Sequence, residues 1–252
     1  MAQFQSGDVT IAYDDVGTGG RPIILIHGFA SNRDENWRRM GWYGALERRR
    51  MRFVAFDSRG HGESAKPHDP AAYGREKMVG DIFALMDHLQ IQRADLLGYS
   101  MGARLSLAAA LARPERIGDL MLGGIGGALF DPLPPGTPMA DAMNAASIDG
   151  ISEPLLRSFR QFADEQGEDR LALAACSQGR DTHFTSDEVS KLSVHTLVVA
   201  GARDQLAGDP QNLAARIPGA KAVTLPGCDH FSAIPHALLK AAVFDFLDGE
   251  MD

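Results

Sequence analysis

The sequence contains little cysteine, no long hydrophobic run and no excess of positive charge. Two cysteines among 252 residues are too few for a disulfide framework. We expect Cys176 and Cys228 to be reduced thiols, and a single bridge between them is the alternative. No stretch reaches the roughly 18 consecutive apolar residues of a membrane-spanning helix, and the N-terminus has no basic segment before an apolar one. We therefore expect a cytoplasmic protein with no membrane partner.

The net charge of −8 argues against a nucleic-acid partner, because phosphate binding requires a dense lysine and arginine surface. One basic cluster is present, at residues 48–50 and 52, and we interpret it as cations at the C-terminal end of a helix. The sequence has no His-Glu-x-x-His segment, no Cys-x-x-Cys pair and no Gly-x-Gly-x-x-Gly turn between a strand and a helix. We therefore expect no metal and no other cofactor.

Short apolar runs alternate with longer amphipathic stretches, a pattern typical of β–α–β construction. Strands are predicted at residues 9–13, 22–27, 53–56, 94–97, 117–122, 196–200 and 222–225. Helical periodicity occupies the intervals, most clearly at residues 79–89, 105–111 and 238–246. The predicted fold class is α/β, with a mostly parallel sheet and helices on both of its faces.

One region interrupts this alternation. Residues 124–188 begin in a glycine cluster and continue through Pro132, Pro134, Pro135 and Pro138 into amphipathic patches. We predict a small helical cap inserted between two strands of the sheet, not an independent domain. The core would then comprise residues 1–123 and 189–252.

The strongest chemical signal is the segment Gly98-Tyr99-Ser100-Met101-Gly102. It follows an apolar strand and precedes a run of good helix formers, which is the context that a Gly-x-Ser-x-Gly nucleophile turn requires. A turn this sharp leaves no room for side chains at its two glycines. It would lift the Ser100 hydroxyl clear of the sheet, and the following helix would direct its positive end towards a developing oxyanion.

Two further segments strengthen the signal. His27-Gly28-Phe29 directly follows a predicted buried strand, and Asp57-Ser58-Arg59-Gly60-His61-Gly62-Glu63-Ser64 follows the next one. With the serine turn, they make the chain resemble the α/β-hydrolase superfamily, specifically its serine carboxylesterases. The resemblance implies that the backbone N–H groups of Phe29 and Met101 form an oxyanion hole. We expect His27 to order its loop by hydrogen bonds, not to transfer protons, and the 57–64 turn to be structural.

A serine hydroxyl needs a base and an orienting carboxylate to become a good nucleophile. His230 has the best context among eight histidines, because it lies in a loop between a late strand and the final helix. The resemblance implies that this histidine is the base. It also implies that the acid is Asp204, at the end of Gly201-Ala202-Arg203-Asp204, and Asp209 is the competitor.

A small, mainly apolar pocket is predicted above the serine. Its candidate lining residues are Met139, Met143, Phe159 and Phe162 of the insertion, and His27, Tyr99 and Phe231 beside the catalytic loops. The hypothesis is a serine hydrolase acting on a small carboxylic ester. Alternatives are a hydrolase of carbon–carbon bonds in β-diketone-like compounds, a cofactor-free perhydrolase and a non-catalytic ligand receptor. The oligomeric state stays open.

Overall fold

The computed structural model describes residues 2–132, 137–179 and 183–251, and its centre is a single β-sheet. The strands are β1 (Ala2–Ser6), β2 (Val9–Val16), β3 (Ile23–Ile26), β4 (Phe53–Phe56), β5 (Ala94–Tyr99), β6 (Ile117–Gly123), β7 (His195–Gly201) and β8 (Lys221–Leu225). Their order across the sheet is β1-β2-β4-β3-β5-β6-β7-β8. Strands β3 to β8 run parallel, and β1 and β2 form an antiparallel edge.

Helices cover both faces of the sheet. They are α1 (Trp42–Arg48), α2 (Arg75–His88), α3 (Met101–Ala112), α4 (Pro138–Asn144), α5 (Pro154–Gln166), α6 (Arg170–Gln178), α7 (Ser186–Val189), α8 (Pro210–Ala214) and α9 (Ala237–Leu247). Successive side chains of a strand point to opposite faces. Ile24 and Ile26 of β3 therefore pack in the hydrophobic cluster that contains α2 and α3, whereas Ile23 and Leu25 pack in the cluster of α1 and α9. The predicted α/β class is confirmed.

The first strand was not predicted. β1 pairs antiparallel with β2 through a tight turn in which Gly7 has a φ of 59°. A left-handed backbone at this position favours glycine, so the Gly7-Asp8 pair was an available hairpin signal.

Helix α1 ends at Arg48, as the basic cluster predicts, and Arg49 beyond it pairs with Asp248.

The segment between β6 and β7 is helical, in agreement with the predicted cap. Helices α4, α5 and α6 share a hydrophobic cluster that includes Met143, Phe159 and Leu173, and we call residues 137–179 the cap. Phe184 and Val189, by contrast, pack in the sheet's own core, which places α7 with the core. The boundaries at 124 and 188 stay a prediction. Pro134 and Pro135 lie outside the described residues.

Both thiols are free: Cys228 is buried and Cys176 is partly buried, and desolvation raises the pKa of Cys176 to about 12. Across residues 2–132, 137–179 and 183–251, no helix has the length and apolar character to cross a bilayer.

Candidate active site

Ser100 sits in a strained turn between β5 and α3. Its φ is 53°, a left-handed value that a residue with a β-carbon adopts only where the surroundings impose it. The neighbouring glycines explain how the turn is possible. A β-carbon on Gly98 would overlap the Gly102 carbonyl, and one on Gly102 would overlap the carbonyl of Ile26. The Ser100 N–H donates to the Gly123 carbonyl at 2.8 Å, which fixes the turn to β6.

The structure brings Ser100, His230 and Asp204 into one hydrogen-bonded chain. His230 Nε2 lies 2.9 Å from Ser100 Oγ, and His230 Nδ1 lies 2.8 Å from Asp204 Oδ2. An ionised carboxylate only accepts hydrogen bonds, so Nδ1 carries the proton and Nε2 is free to accept from the serine. The arrangement can therefore take a proton from the Ser100 hydroxyl.

Asp204 is held in place from its other side. Its Oδ1 accepts hydrogen bonds from the N–H groups of Leu206 at 3.1 Å and Ala207 at 2.9 Å, and the residue is buried. Asp209, the competitor, is exposed and caps α8 through the Gln211 N–H at 3.0 Å. Asp229 turns its carboxylate to Ser232 and the Phe231 N–H. Of these three carboxylates, Asp204 is the one that contacts His230.

Tyr99 corrects a pocket prediction. The side chain is 2% exposed, packs in the α1 and α9 face of the core, and donates its hydroxyl proton to the His230 carbonyl at 2.6 Å. It thus joins β5 to the loop that carries the histidine. Its ring packs in the core on the face of the sheet opposite α3, and Tyr99 lines neither of the two cavities described below.

The His27-Gly28-Phe29 loop lies beside the serine. A β-carbon on Gly28 would lie 3.6 Å from the β-carbon of Ser100. Within the described part of the chain, neither the Phe29 N–H nor the Met101 N–H donates a hydrogen bond, so both donors are available to a bound oxygen. The Gly28 carbonyl accepts from the Ser31 N–H at 3.3 Å. Because a trans peptide holds its C=O and N–H in opposite directions, this contact helps to fix where the Phe29 N–H points.

His27 is a second correction to the pocket prediction. Its exposure is 0%, its Nε2 accepts from the Ser58 N–H at 2.9 Å, and its Nδ1 lies 2.8 Å from the Gly28 carbonyl. Burial lowers the pKa of His27 to about 4, so the ring is neutral and donates from Nδ1. The residue orders the loop, as the sequence predicts, and does not face a cavity.

His61 packs against His27, with ring centroids 5.1 Å apart, and contacts Phe29. Burial first, and the neighbouring His27 second, lower the pKa of His61 to about 3. The turn that contains it is structural in this arrangement. Asp57, for example, accepts from the backbone N–H groups of Arg33 and Glu63, each at 2.8 Å.

An apolar cavity of about 320 Å³ lies next to the histidine loop, between the core and the cap. Two of the pocket candidates, Phe162 and Phe231, line it together with Met40 and Ile234. Its remaining lining residues are polar or charged: Ser31, Glu35, Asn36, Ser158, Gln161 and Glu165. Phe231 is 38% exposed and its ring contacts those of Phe159 and His230.

Three pocket candidates from the cap, Met139, Met143 and Phe159, pack in or against the cap's hydrophobic cluster. Met143 is 0% exposed within the cap's hydrophobic cluster, so the prediction that it lines the pocket is wrong. Met139 is partly buried against the same cluster. Phe159 is 7% exposed and bridges the rings of Phe29 and Phe231, at centroid distances of 6.0 Å and 5.6 Å.

A second cavity, of about 360 Å³, is lined by Phe29 and Met101, the two residues whose N–H groups are the candidate oxyanion donors. Sequence reasoning missed its other walls, which include Arg75 and Arg104. Both guanidinium groups lie over the Phe184 ring, at 3.9 Å and 5.6 Å from its centroid. No local sequence signal points to them, because α2, α3 and the segment before α7 meet only in the folded chain.

Residues 21–148 match the alpha/beta hydrolase fold family. The chain belongs to this family. It is also 33% identical, over 85% of its own length and 60% of the relative's, to a Pseudomonas putida dihydrolipoyllysine-residue acetyltransferase component of an acetoin cleaving system. It is 36% identical, over 50% of its length and 45% of the relative's, to a P. putida 2-hydroxy-6-oxo-2,4-heptadienoate hydrolase. The aligned region thus spans less than two thirds of either curated relative.

Among solved structures, the enol-lactonase from Burkholderia xenovorans LB400 is similar over 98% of this chain and 100% of its own. The TM-score is 0.81 and the sequence identity is 25%. The whole described fold, including the cap region, therefore has a counterpart of similar size.

Proposed function

We propose that this protein is a serine hydrolase that cleaves a small, mainly apolar carboxylic ester through an acyl-enzyme at Ser100. The observation that carries the proposal is the pair of contacts that His230 makes, 2.9 Å to Ser100 Oγ and 2.8 Å to Asp204 Oδ2. A hydroxyl, an imidazole and a buried carboxylate in this order are the parts that acyl transfer requires.

In the proposed mechanism Ser100 Oγ attacks the ester carbonyl while His230 Nε2 takes its proton. Asp204 stabilises the imidazolium that forms, and the N–H groups of Phe29 and Met101 bind the tetrahedral oxyanion. Each such donor contributes on the order of 3 kcal/mol to the stabilisation of the transition state in a serine protease. His230 then gives the proton to the leaving alcohol, and water repeats the sequence to release the acid and restore the Ser100 hydroxyl.

The cavity beside the histidine loop supports a small substrate. Its volume of about 320 Å³ and its Phe162 and Phe231 walls suit a small apolar group. The similarity to an enol-lactonase supports an ester, because a lactone is a cyclic ester.

A second candidate is the hydrolysis of a carbon–carbon bond in a β-diketone-like compound. The relative named 2-hydroxy-6-oxo-2,4-heptadienoate hydrolase favours it, since the substrate in that name contains no ester. The same serine, histidine and aspartate would serve, with a carbanion as the leaving group in place of an alkoxide.

The test compares the wild type with Ser100→Ala on p-nitrophenyl esters of increasing acyl length, on a vinylogous diketone, and on acetate with hydrogen peroxide. Ester cleavage that Ser100→Ala abolishes, with preference for short acyl chains, supports the proposal. Turnover of the diketone alone would transfer the assignment to the second candidate, and peracid formation alone would indicate a perhydrolase. Binding of these compounds without any turnover would indicate a receptor and contradict an enzyme.

A further inference from the structure

Glu168 of the cap reaches down to the core. It lies between α5 and α6, is 8% exposed, and its carboxylate oxygens accept two hydrogen bonds from core loops. Oε1 accepts from Asn32 Nδ2 and Oε2 accepts from the Gly62 N–H, each at 2.9 Å. The position is itself fixed, because the Glu168 N–H donates to the Ala163 carbonyl at the end of α5.

Asn32 belongs to the same loop as Phe29. Its carbonyl accepts from the Asn36 N–H at 2.9 Å, and Asn36 Oδ1 in turn accepts from the Gly28 N–H at 3.0 Å. Residues 28–36 are therefore one hydrogen-bonded unit, and the Phe29 N–H is part of its backbone. Glu168 holds this unit at Asn32.

The cap also contacts the unit at Phe29. The Phe29 ring packs edge-on against Phe159 of α5, with centroids 6.0 Å apart. The cap thus holds the loop at two points, by an aromatic contact at residue 29 and by a carboxylate at residue 32. Movement of the cap would displace the Phe29 N–H relative to Ser100.

We propose that Glu168 is a positioning residue that sets the oxyanion-hole loop from the cap, acting through Asn32 on the Phe29 N–H. This inference rests on the proposed function. An oxyanion donor acts over hydrogen-bond distance, so a small displacement lowers the rate of the chemical step more than it lowers substrate binding.

The experiment compares Glu168→Ala and Glu168→Gln with His68→Ala. The control is matched because His68 Nε2 lies 2.9 Å from Asp169, so that variant breaks a neighbouring contact between cap and core that does not lead to Asn32. Thermal unfolding establishes that each variant is folded. We expect kcat to fall roughly ten-fold or more in Glu168→Ala, with little change in KM. Glu168→Gln keeps one acceptor oxygen, so its kcat should fall less. The kcat of His68→Ala should match that of the wild type.

Two readouts separate positioning from general support of the cap. The first is the ratio of kcat for an ester to kcat for its thionoester, because sulfur accepts hydrogen bonds poorly; we expect Glu168→Ala to lower this ratio. The second is hydrogen exchange of residues 28–36, which should accelerate in Glu168→Ala and not in His68→Ala.

Unchanged exchange in residues 28–36 would overturn the inference whether or not the protein hydrolyses esters. Faster exchange with unaltered kcat and ester-to-thionoester ratio would also overturn it, as would equal losses in His68→Ala. If the wild type cleaves none of the esters, the proposed function fails, and the exchange measurement still decides whether Glu168 controls the loop.

Discussion

The Tyr99 hydroxyl donates a 2.6 Å hydrogen bond to the backbone carbonyl of His230. Tyr99 immediately precedes Ser100, so one residue of β5 joins the serine turn to the loop that carries the histidine. Burial raises the pKa of Tyr99, which keeps the hydroxyl protonated as a donor. The contact explains how two residues 130 positions apart keep a 2.9 Å separation.

Tyr99→Phe should therefore impair catalysis while the protein stays folded. Loss of one buried hydrogen bond costs about 1 kcal/mol of the free energy of unfolding. We expect kcat/KM to fall by about ten-fold or less, well under the ~100-fold that a displacement of about 1 Å can cost. Steady-state kinetics with a p-nitrophenyl ester, beside a urea titration, measure both. Wild-type kcat/KM in a folded Tyr99→Phe variant would show that the contact does not position His230.

The choice of acid gives a second prediction. Asp204→Asn should lower kcat by about 10³-fold or more, because an amide no longer stabilises the protonated imidazole; the corresponding change in a serine protease costs about 10⁴-fold. Asp209→Asn is the matched control. Asparagine caps a helix as well as aspartate does, so α8 and the rate should both be preserved. Loss of activity in Asp209→Asn with retention in Asp204→Asn would reverse the assignment.

The serine turn gives a third prediction, about stability. Gly102→Ala would place a methyl group on the Ile26 and His27 carbonyls and should destabilise the fold by several kcal/mol. Gly80→Ala, inside α2, meets no atom within 4 Å and should raise the free energy of unfolding by about 0.5–1 kcal/mol. Urea denaturation of the two variants measures both effects. A Gly102→Ala protein as stable as the wild type would contradict the tight turn.

The buried His61 gives a fourth prediction, about the pH dependence of stability. The unfolded chain binds a proton at His61 near its ordinary pKa of about 6.5, whereas the folded chain binds it only near a pKa of about 3. Protonation of His61 therefore favours the unfolded chain. It costs the fold no stability above about pH 6.5, and the cost grows as the pH falls towards the folded pKa of about 3. His61→Phe should make the free energy of unfolding less dependent on pH between about pH 6 and about pH 4.5, by at most about 1.4 kcal/mol per pH unit. Equal slopes in urea titrations of both proteins would contradict a neutral, buried His61.

Local patterns predicted the central sheet and the three residues that the structure joins. Strand and helix periodicity located β5 and α3, and the two glycines around Ser100 marked the turn between them. These features depend on neighbours within a few positions. Strand β1 was missed because its buried side carries one large apolar residue, Phe4, beside the polar Ser6.

The direction in which a side chain points was harder to predict. His27, Tyr99 and Met143 lie in the right loops or helices, yet each is buried away from the cavities by contacts that are distant in sequence. The same reason hid Glu168 and Asn32, which meet across 136 positions. Neither the loop after β3 nor the junction of α5 and α6 carries a local sign of the other.

The most direct test of the account is covalent labelling of the serine. A fluorophosphonate should add one phosphonyl group to the wild-type chain, and peptide mass spectrometry should locate it on Ser100. Ser100→Ala should stay unlabelled, and His230→Ala should react far more slowly because its hydroxyl has no base. A wild-type protein that stays unmodified, or one modified at another residue with undiminished labelling of Ser100→Ala, would contradict the claim that Ser100 is the nucleophile.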